Sequence, residues 1–135
     1  MALLTWSNEY SVNIQGFDSQ HKKIVDLINE LHSAMREARG KDVVGKILNE
    51  LTSYTVFHFA AEEKIMKEHN YPGYNSQKGE HEKLTKQVVS LVDDYKSGKT
   101  VLSQEVLQFL KDWLINHIMG SDKKYSEYLN KKGVV

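Results

Sequence analysis

The sequence predicts an all-α fold, an up-down-up-down four-helix bundle with an N-terminal arm and a C-terminal helical extension. The chain of 135 residues contains one proline, and its eight glycines fall mostly between segments in which apolar residues recur every three or four positions. Apolar residues make up 40% of the chain, which is enough for the core of one domain. We therefore expect a single domain over residues 1–135.

The first helix is predicted over residues 18–38, after an arm formed by residues 1–17. Asp18 or Ser19 would cap the start of this helix, and Gly40 follows its end. Several apolar side chains of the arm are expected to pack over one end of the bundle, namely Trp6, Tyr10, Val12, Ile14 and Phe17.

Three more helices are predicted, over residues 42–69, 75–96 and 103–130. Turn-forming segments separate them: Asn70-Tyr71-Pro72-Gly73 follows the second helix and Ser97-Gly98-Lys99 follows the third. Each helix has one apolar stripe, so the four can share a single core.

Each predicted helix carries a metal-binding residue type on its apolar stripe. His58 and Glu62 are four positions apart and share one face of their helix, because successive residues turn by about 100°. His21, His81 and His117 lie on the stripes of the other three helices. Any one of them alone is more often a hydrogen-bonded core residue. Together they would bury several charges at high cost unless a metal offset it, so we predict a dinuclear metal centre.

The spacing of His117 and Asp122 predicts a distortion in the fourth helix. Five positions correspond to about 500°, so the two side chains would diverge by about 140° on a regular helix. A break or a wide turn is needed between them, and Gly120 lies where it would occur. Glu62 and Asp122 are the carboxylates expected to bridge two cations.

The residue types narrow the chemistry of this centre. The chain has no cysteine, so a metal would be held by imidazole and carboxylate, a donor set that suits non-haem iron, although spacing alone does not choose the metal. The Glu-x-x-His pairs of ferritin-like proteins and the His-Glu-x-x-His pattern of zinc proteases are both absent. His32 lies off the main stripe and His69 adjoins a turn, so neither is assigned to the centre.

The charge balance argues against polyanionic partners. Lys plus Arg equals Asp plus Glu at 18 each, so no net field draws the chain to nucleic acid or to an anionic membrane. No export signal and no run of about 18 apolar residues is found. We expect a soluble, cytoplasmic monomer, and the sequence assigns it no protein partner.

These residues resemble the bacterial hemerythrins, single-domain di-iron oxygen-binding proteins. The likeness covers almost the whole chain and rests on the Trp6 arm, His21, His58-Phe59-Ala60-Ala61-Glu62, His81, Trp113-Leu114-Ile115-Asn116-His117 and Asp122. The resemblance implies two iron ions, Fe²⁺ or Fe³⁺, with an oxo or hydroxo bridge. The ligands it implies are His21 and His58 for one iron, His81 and His117 for the other, and Glu62 and Asp122 as bridges.

The function implied by this resemblance is reversible dioxygen binding for storage, delivery or buffering, and not catalysis. An apolar lining would protect the bound oxygen by excluding water. The matching positions are Ile24, Phe59, Trp113, Leu114 and Ile118, all of which could equally be ordinary core residues. Leu114 is the position at which access to the centre would be controlled.

Gln77 departs from the family pattern, which has a histidine one turn before His81. Its amide oxygen is a weaker ligand for ferrous iron than imidazole, so we expect weakened binding or fast autoxidation. Three outcomes stay open: Gln77 binds through oxygen, water or another ligand takes the position, or that iron is lost. Two further functions also stay open, a di-iron enzyme that reduces peroxide or nitric oxide, including a minor peroxidase-like activity, and an oxygen or redox sensor module.

Overall fold

The computed structural model describes residues 3–99 and 102–135, so the first two residues of the predicted arm lie outside the described part. The described part contains helices and no strand, which confirms the predicted all-α bundle. A 3₁₀ turn at Asn8–Tyr10 comes first and a π-helical turn at Ile118–Asp122 separates the last two helices. The helices are α1 (Gln15–Arg36), α2 (Lys41–Glu68), α3 (Tyr74–Lys96), α4 (Gln104–His117) and α5 (Lys123–Lys131).

The helices surround one hydrophobic core. α1 packs against both α2 and α4, and α2 packs against α3. Each of the first four helices contributes buried apolar side chains to this core, among them Leu31 of α1, Leu48 of α2 and Leu107 of α4. Burying one such side chain contributes roughly 1.5–3 kcal/mol to the free energy of folding. None of the helices in the described ranges carries an apolar stretch of the length that crossing a bilayer requires.

The start of α1 differs from the prediction. The helix begins at Gln15 with Ile14 as its N-cap, and no side chain caps it. Asp18, expected as the cap, instead lies in the first turn and accepts hydrogen bonds from the backbone nitrogen of Val12 (2.8 Å) and the hydroxyl of Ser11 (2.6 Å). The carboxylate therefore holds the arm against the helix and leaves the helix end uncapped.

The end of α1 also differs from the prediction. The helix stops at Arg36, and Ala38 takes the left-handed conformation that we expected of a glycine, with φ of 49°. The backbone nitrogen of Arg39 donates to the carbonyl of Ala34 over 3.1 Å and completes the helix terminus. Gly40, with φ of 101°, is the residue before α2. The turn between α1 and α2 therefore contains two residues with positive φ, Ala38 and Gly40, and only one of them is a glycine.

The arm packs against the C-terminal helix. The carbonyl of Val12 accepts a hydrogen bond from the hydroxyl of Ser126, and the carbonyl of Ser11 accepts one from Nζ of Lys123 over 2.6 Å. The apolar arm residues Val12, Ile14 and Phe17 are buried. The arm and α5 therefore cover the same end of the bundle.

The π-helical turn lies where the sequence predicts a distortion. α4 stays regular up to His117, and the wide turn then runs from Ile118 to Asp122. A Cβ added at Gly120 would meet no atom within 4 Å outside its neighbours in sequence and the backbone of its own helix. The wide turn therefore lies at the predicted place, but its packing does not require the absence of a side chain at position 120.

Candidate metal centre

Buried nitrogen and oxygen atoms from α1, α2, α3, α4 and the π-helical turn converge inside the bundle. They fall into two groups, and in each group the candidate ligand atoms lie within 4.8 Å of one another. The first group is His21, His58 and Glu62, and the second is Glu62, His81, His117 and Asp122. Because Glu62 belongs to both, the groups are adjacent and together form one centre.

The two carboxylates each face histidines of both groups. Oδ2 of Asp122 lies 3.2 Å from Nε2 of His21, and Oδ1 lies 3.2 Å from Nε2 of His117. Oε1 of Glu62 lies 3.1 Å from Nε2 of His58 and 3.5 Å from Nε2 of His81. The centre therefore has an imidazole pair on each side and two carboxylates in the middle.

The ligand atoms point to shared interior positions and are poorly hydrogen-bonded to one another. Among the described residues, six buried side-chain nitrogen or oxygen atoms lack a hydrogen-bond partner, and five of them belong to this centre. Nε2 of His21 and Oδ2 of Asp122 are two of these atoms, although they lie 3.2 Å apart. Buried polar atoms without partners are rare, and cations would satisfy the four of these that face inward: Nε2 of His21, Oε1 of Glu62, Oε1 of Gln77 and Oδ2 of Asp122. The residues present therefore fit a metal pair.

The π-helical turn aligns the last two candidate ligands. A π-helix repeats with bonds from residue i to residue i+5, so residues five apart lie on the same face. His117 and Asp122 are five apart and both point inward, with 4% and 0% exposure respectively. The wide turn removes the divergence that a regular helix would impose on them.

Gln77 also points into the centre. Its side chain is 2% exposed, and its Nε2 donates a hydrogen bond to Oδ1 of Asp122 over 3.0 Å. Its Oε1 is buried and has no hydrogen-bond partner among the described residues. The amide therefore orients the carboxylate with one end and leaves its oxygen free for a cation.

Three polar residues outside the predicted set bind the outer nitrogens of the histidines. Each lies next to a candidate ligand in sequence but contacts a histidine on the following helix. Gln20 on α1 accepts from Nδ1 of His58 on α2 (2.6 Å), Glu63 on α2 from Nδ1 of His81 on α3 (2.9 Å), and Glu80 on α3 from Nδ1 of His117 on α4 (3.1 Å). These bonds fix the ring orientations and leave Nε2 of each ring directed inward.

Tyr125 is another residue of the centre that sequence reasoning missed. Its hydroxyl donates a hydrogen bond to Oε2 of Glu62, and the side chain is fully buried. Burial, together with the negative charge of Glu62, raises the pKa of Tyr125 well above its usual value. The hydroxyl therefore stays protonated as a donor. Tyr125 is three residues after Asp122 and shares its face of the helix. The wide turn before them directs that face inward.

Without a metal, protons on the imidazoles balance the negative charge of the buried carboxylates. Burial by itself would lower the pKa of His21, but contacts with Asp122 and Glu62 outweigh it and raise this pKa to about 10. Burial likewise opposes ionisation of Glu62, yet His58 and His21 hold its pKa well below the usual value. The carboxylates are therefore charged and at least one imidazole is protonated at neutral pH.

His81 and His117 differ in their preference for a proton. Burial is the largest influence on both rings. It lowers the pKa of His81, whereas contacts with Asp122 overcome it and raise the pKa of His117. The two Nε2 atoms lie 3.1 Å apart, so only one of them can hold a proton between them. Once that proton is lost, two nitrogen lone pairs face a single position.

Aromatic rings cover the imidazoles of the second group. Phe59 stacks on His81 with ring centroids 3.9 Å apart and planes inclined by 2°, and Trp113 stacks on His117 at 4.4 Å and 15°. An apolar cavity of about 30 Å³ adjoins these rings. Its lining includes four of the five predicted pocket residues, namely Ile24, Phe59, Trp113 and Leu114. Ile118 is buried but is not part of this lining.

Comparison with known proteins identifies relatives of similar length. The hemerythrin HHE cation binding domain matches residues 12–129. Bacteriohemerythrin of Methylococcus capsulatus is 36% identical over 131 residues, which is 96% of this chain and 99% of the relative. The hemerythrin-like protein of Naegleria gruberi is 36% identical over 124 residues, or 92% of each chain. The crystal structure of a wild-type hemerythrin superposes with a TM-score of 0.89 at 35% identity and covers 93% of this chain and 97% of that one.

Proposed function

The chain belongs to the hemerythrin family, and from this premise we propose that it binds dioxygen reversibly at a non-haem di-iron centre. Its role would be oxygen storage, delivery or buffering. The observation that carries the proposal is the convergence of four buried imidazoles and two buried carboxylates inside one bundle. Imidazole and carboxylate together are a donor set that suits non-haem iron.

Six side chains would hold the two iron ions in this proposal. The support for this assignment is geometric, because each carboxylate faces one histidine of each group. Bound iron would supply the reversible electron exchange with dioxygen that no side chain here can provide. The six are His21 and His58, His81 and His117, with Glu62 and Asp122 between them. Gln77 would add an amide oxygen on the side of His81 and His117.

The surrounding residues favour an apolar gas over water. The cavity beside Phe59 and Trp113 is lined almost entirely by hydrocarbon, and its one hydroxyl, that of Thr55, already donates to the carbonyl of Leu51 over 2.7 Å. A cavity without free polar groups gives water too few hydrogen-bond partners. These residues would therefore admit dioxygen while they keep water and protons away from the centre.

The proposal is tested by iron content and by the visible spectrum. We expect the reduced protein to hold two irons per chain. Under oxygen it should develop a visible absorption band that disappears when the oxygen is removed. His58→Ala should lower the iron content, whereas His32→Ala, which changes a histidine outside the centre, should not. One iron or none in the unmodified chain, or oxidation without a reversible band, would contradict the proposal.

Gln77 supports a second candidate function. A centre with a weak oxygen donor in place of an imidazole binds added ligands more easily, so reduction of peroxide or nitric oxide is the alternative. Catalytic turnover distinguishes the two. An enzyme would consume many equivalents of peroxide or nitric oxide per chain in the presence of a reductant, whereas a carrier would not.

A further inference from the structure

The two sides of the centre differ in the partners of their outer nitrogens. On the side of His81 and His117, both Nδ1 atoms face carboxylates: Glu63 at 2.9 Å and Glu80 at 3.1 Å. Both histidines are almost fully buried. Two negative groups therefore lie directly behind the imidazoles of this side.

The other side has no such charge. Nδ1 of His58 meets the neutral amide oxygen of Gln20 at 2.6 Å. Nδ1 of His21 is buried and has no hydrogen-bond partner among the described residues. The inward-pointing groups are two imidazoles on each side, yet the outer partners are charged on one side only.

The carboxylates on the charged side are held in place. Ser121, in the π-helical turn, donates through its hydroxyl to both oxygens of Glu80, at 2.8 and 2.9 Å. Glu63 is 21% exposed, so most of its side chain is enclosed by the bundle. Because these groups are fixed, their orientation toward the imidazoles does not depend on a metal.

A carboxylate behind an imidazole strengthens that imidazole as a metal ligand. It fixes the tautomer that has a free Nε2 and increases the electron donation of the ring, and loss of such a partner typically costs about 10- to 100-fold in metal affinity. The negative charge also attracts a cation, and more strongly from Glu63, which is 21% exposed, than from Glu80, which is 41% exposed and therefore more strongly screened by water.

We propose that Glu63 and Glu80 make the His81–His117 position the tighter of the two metal positions, so that it fills first. This inference rests on the metal binding in the proposed function. It opposes the simple expectation from Gln77, namely that this side is the weaker one because an imidazole is missing. Glu63 and Glu80 act through the histidines and are positioning residues.

Stepwise cobalt titration of the full chain tests this order. Co²⁺ binds imidazole and carboxylate and reports its surroundings through visible absorption. Starting from metal-free protein, we expect two resolved steps, with the first equivalent bound at least about tenfold more tightly than the second. The absorption spectrum should differ between the two steps because the two positions have different ligands.

Paired variants isolate the effect of the two carboxylates. The double variant Glu63→Gln with Glu80→Gln keeps the shape and removes the charge, so the first step should weaken by about 10-fold or more while the second changes little. The control, Glu68→Gln with Glu82→Gln, removes the same charge from exposed positions on the same two helices and should change neither step. Gln20→Glu adds a carboxylate behind His58 and should narrow the gap between the two steps.

Histidine variants identify which position fills first. His58→Ala should remove the second, weaker step, whereas His117→Ala should remove the first, tighter step. Circular dichroism establishes that each variant is folded, and Gln20→Glu provides an independent test that removes no ligand.

The possible outcomes separate this inference from the function on which it rests. Two steps of equal affinity, the reverse order of filling, or a double variant that behaves as its control would overturn the inference while the di-iron proposal stands. Absence of cobalt binding by the unmodified chain would overturn both.

Discussion

Nε2 of Gln77 donates a hydrogen bond to Oδ1 of Asp122, joining residues 45 positions apart inside the candidate metal centre. The amide thereby holds a carboxylate that we propose as a bridge between two irons. Its oxygen remains without a partner among the described residues. Glutamine at this position thus supplies both a free oxygen that faces the centre and a hydrogen bond to the adjacent carboxylate.

Gln77→His should strengthen metal binding on this side of the centre. An imidazole is a better donor to ferrous iron than an amide oxygen, so we expect iron affinity to rise by about tenfold or more, the scale on which even supporting partners act. Oxidation of the reduced protein in air should become slower. Iron retention during dialysis against a chelator and the rate of bleaching in air measure the two effects. Gln87→His adds a histidine at an exposed position of the same helix and should change neither.

Tyr125→Phe should destabilise the metal-free protein. The variant removes the donor to Glu62 and leaves a buried carboxylate oxygen without that partner, which costs roughly 1–3 kcal/mol. Urea denaturation monitored by circular dichroism measures the change. Tyr128→Phe is the matched control, because the hydroxyl of Tyr128 donates to a backbone carbonyl, that of His69, at a partly exposed position. A larger loss in the control than in Tyr125→Phe would contradict this role of Tyr125.

The stability of the metal-free protein should fall between about pH 6.5 and pH 10. The pKa of His21 rises from 6.5 in the unfolded chain to about 10 in the fold, so its contribution is complete below pH 6.5 and is lost as the pH rises through 10. His117 shifts in the same direction. Glu62 shifts the other way, so its contribution is present above its usual pKa of 4.5 and is lost in acid.

Urea midpoints of the chelator-treated protein measure this pH dependence. Protein loaded with metal is the comparison, because its ligands must be deprotonated and its stability should therefore not fall over the same range. A midpoint of the metal-free protein that rises from pH 6.5 to pH 10 would show that His21 is not held in its protonated form.

Much of this centre can be predicted from sequence, because its inward ligands share the period of the apolar stripe. The four histidines and Glu62 interrupt stripes of apolar residues, and simple helix geometry requires a distortion before Asp122. The outer partners Gln20, Glu63 and Glu80 could not be predicted in this way. Each extends from the side of its own helix to a histidine on another helix, and the periodicity of a single helix does not predict such a contact.

The ends of α1 show a second limit of prediction from sequence. Asp18 has the residue type of an N-cap but bonds to the arm, since the arm folds back and supplies donors to it. Ala38 adopts a left-handed conformation beside Gly40 because the last turn of the helix closes there. Contacts with the arm in the first case, and the hydrogen bonds that close the helix end in the second, outweigh the preference of a single residue type.

Leu114→Ala should accelerate oxidation of the loaded protein. Leu114 lines the apolar cavity and lies three residues before His117, so its removal opens space beside the centre. Leu110→Ala is the matched control, because Leu110 lines the same cavity one turn further from His117. Each variant should cost roughly 2–5 kcal/mol of stability. Equal oxidation rates in the two variants would assign the effect to stability alone.

The π-helical turn is a helical turn that holds one additional residue. Without that residue, His117 and Asp122 would be four positions apart and would share one face of an α-helix, as His58 and Glu62 do. A second additional residue would place them six positions apart, where a regular helix directs the two side chains about 120° away from each other. A Cβ at Gly120 would meet no atom within 4 Å outside its neighbours in sequence and the backbone of its own helix. We therefore expect this segment to accept a side chain at Gly120 and the loss of one residue, but not the gain of one.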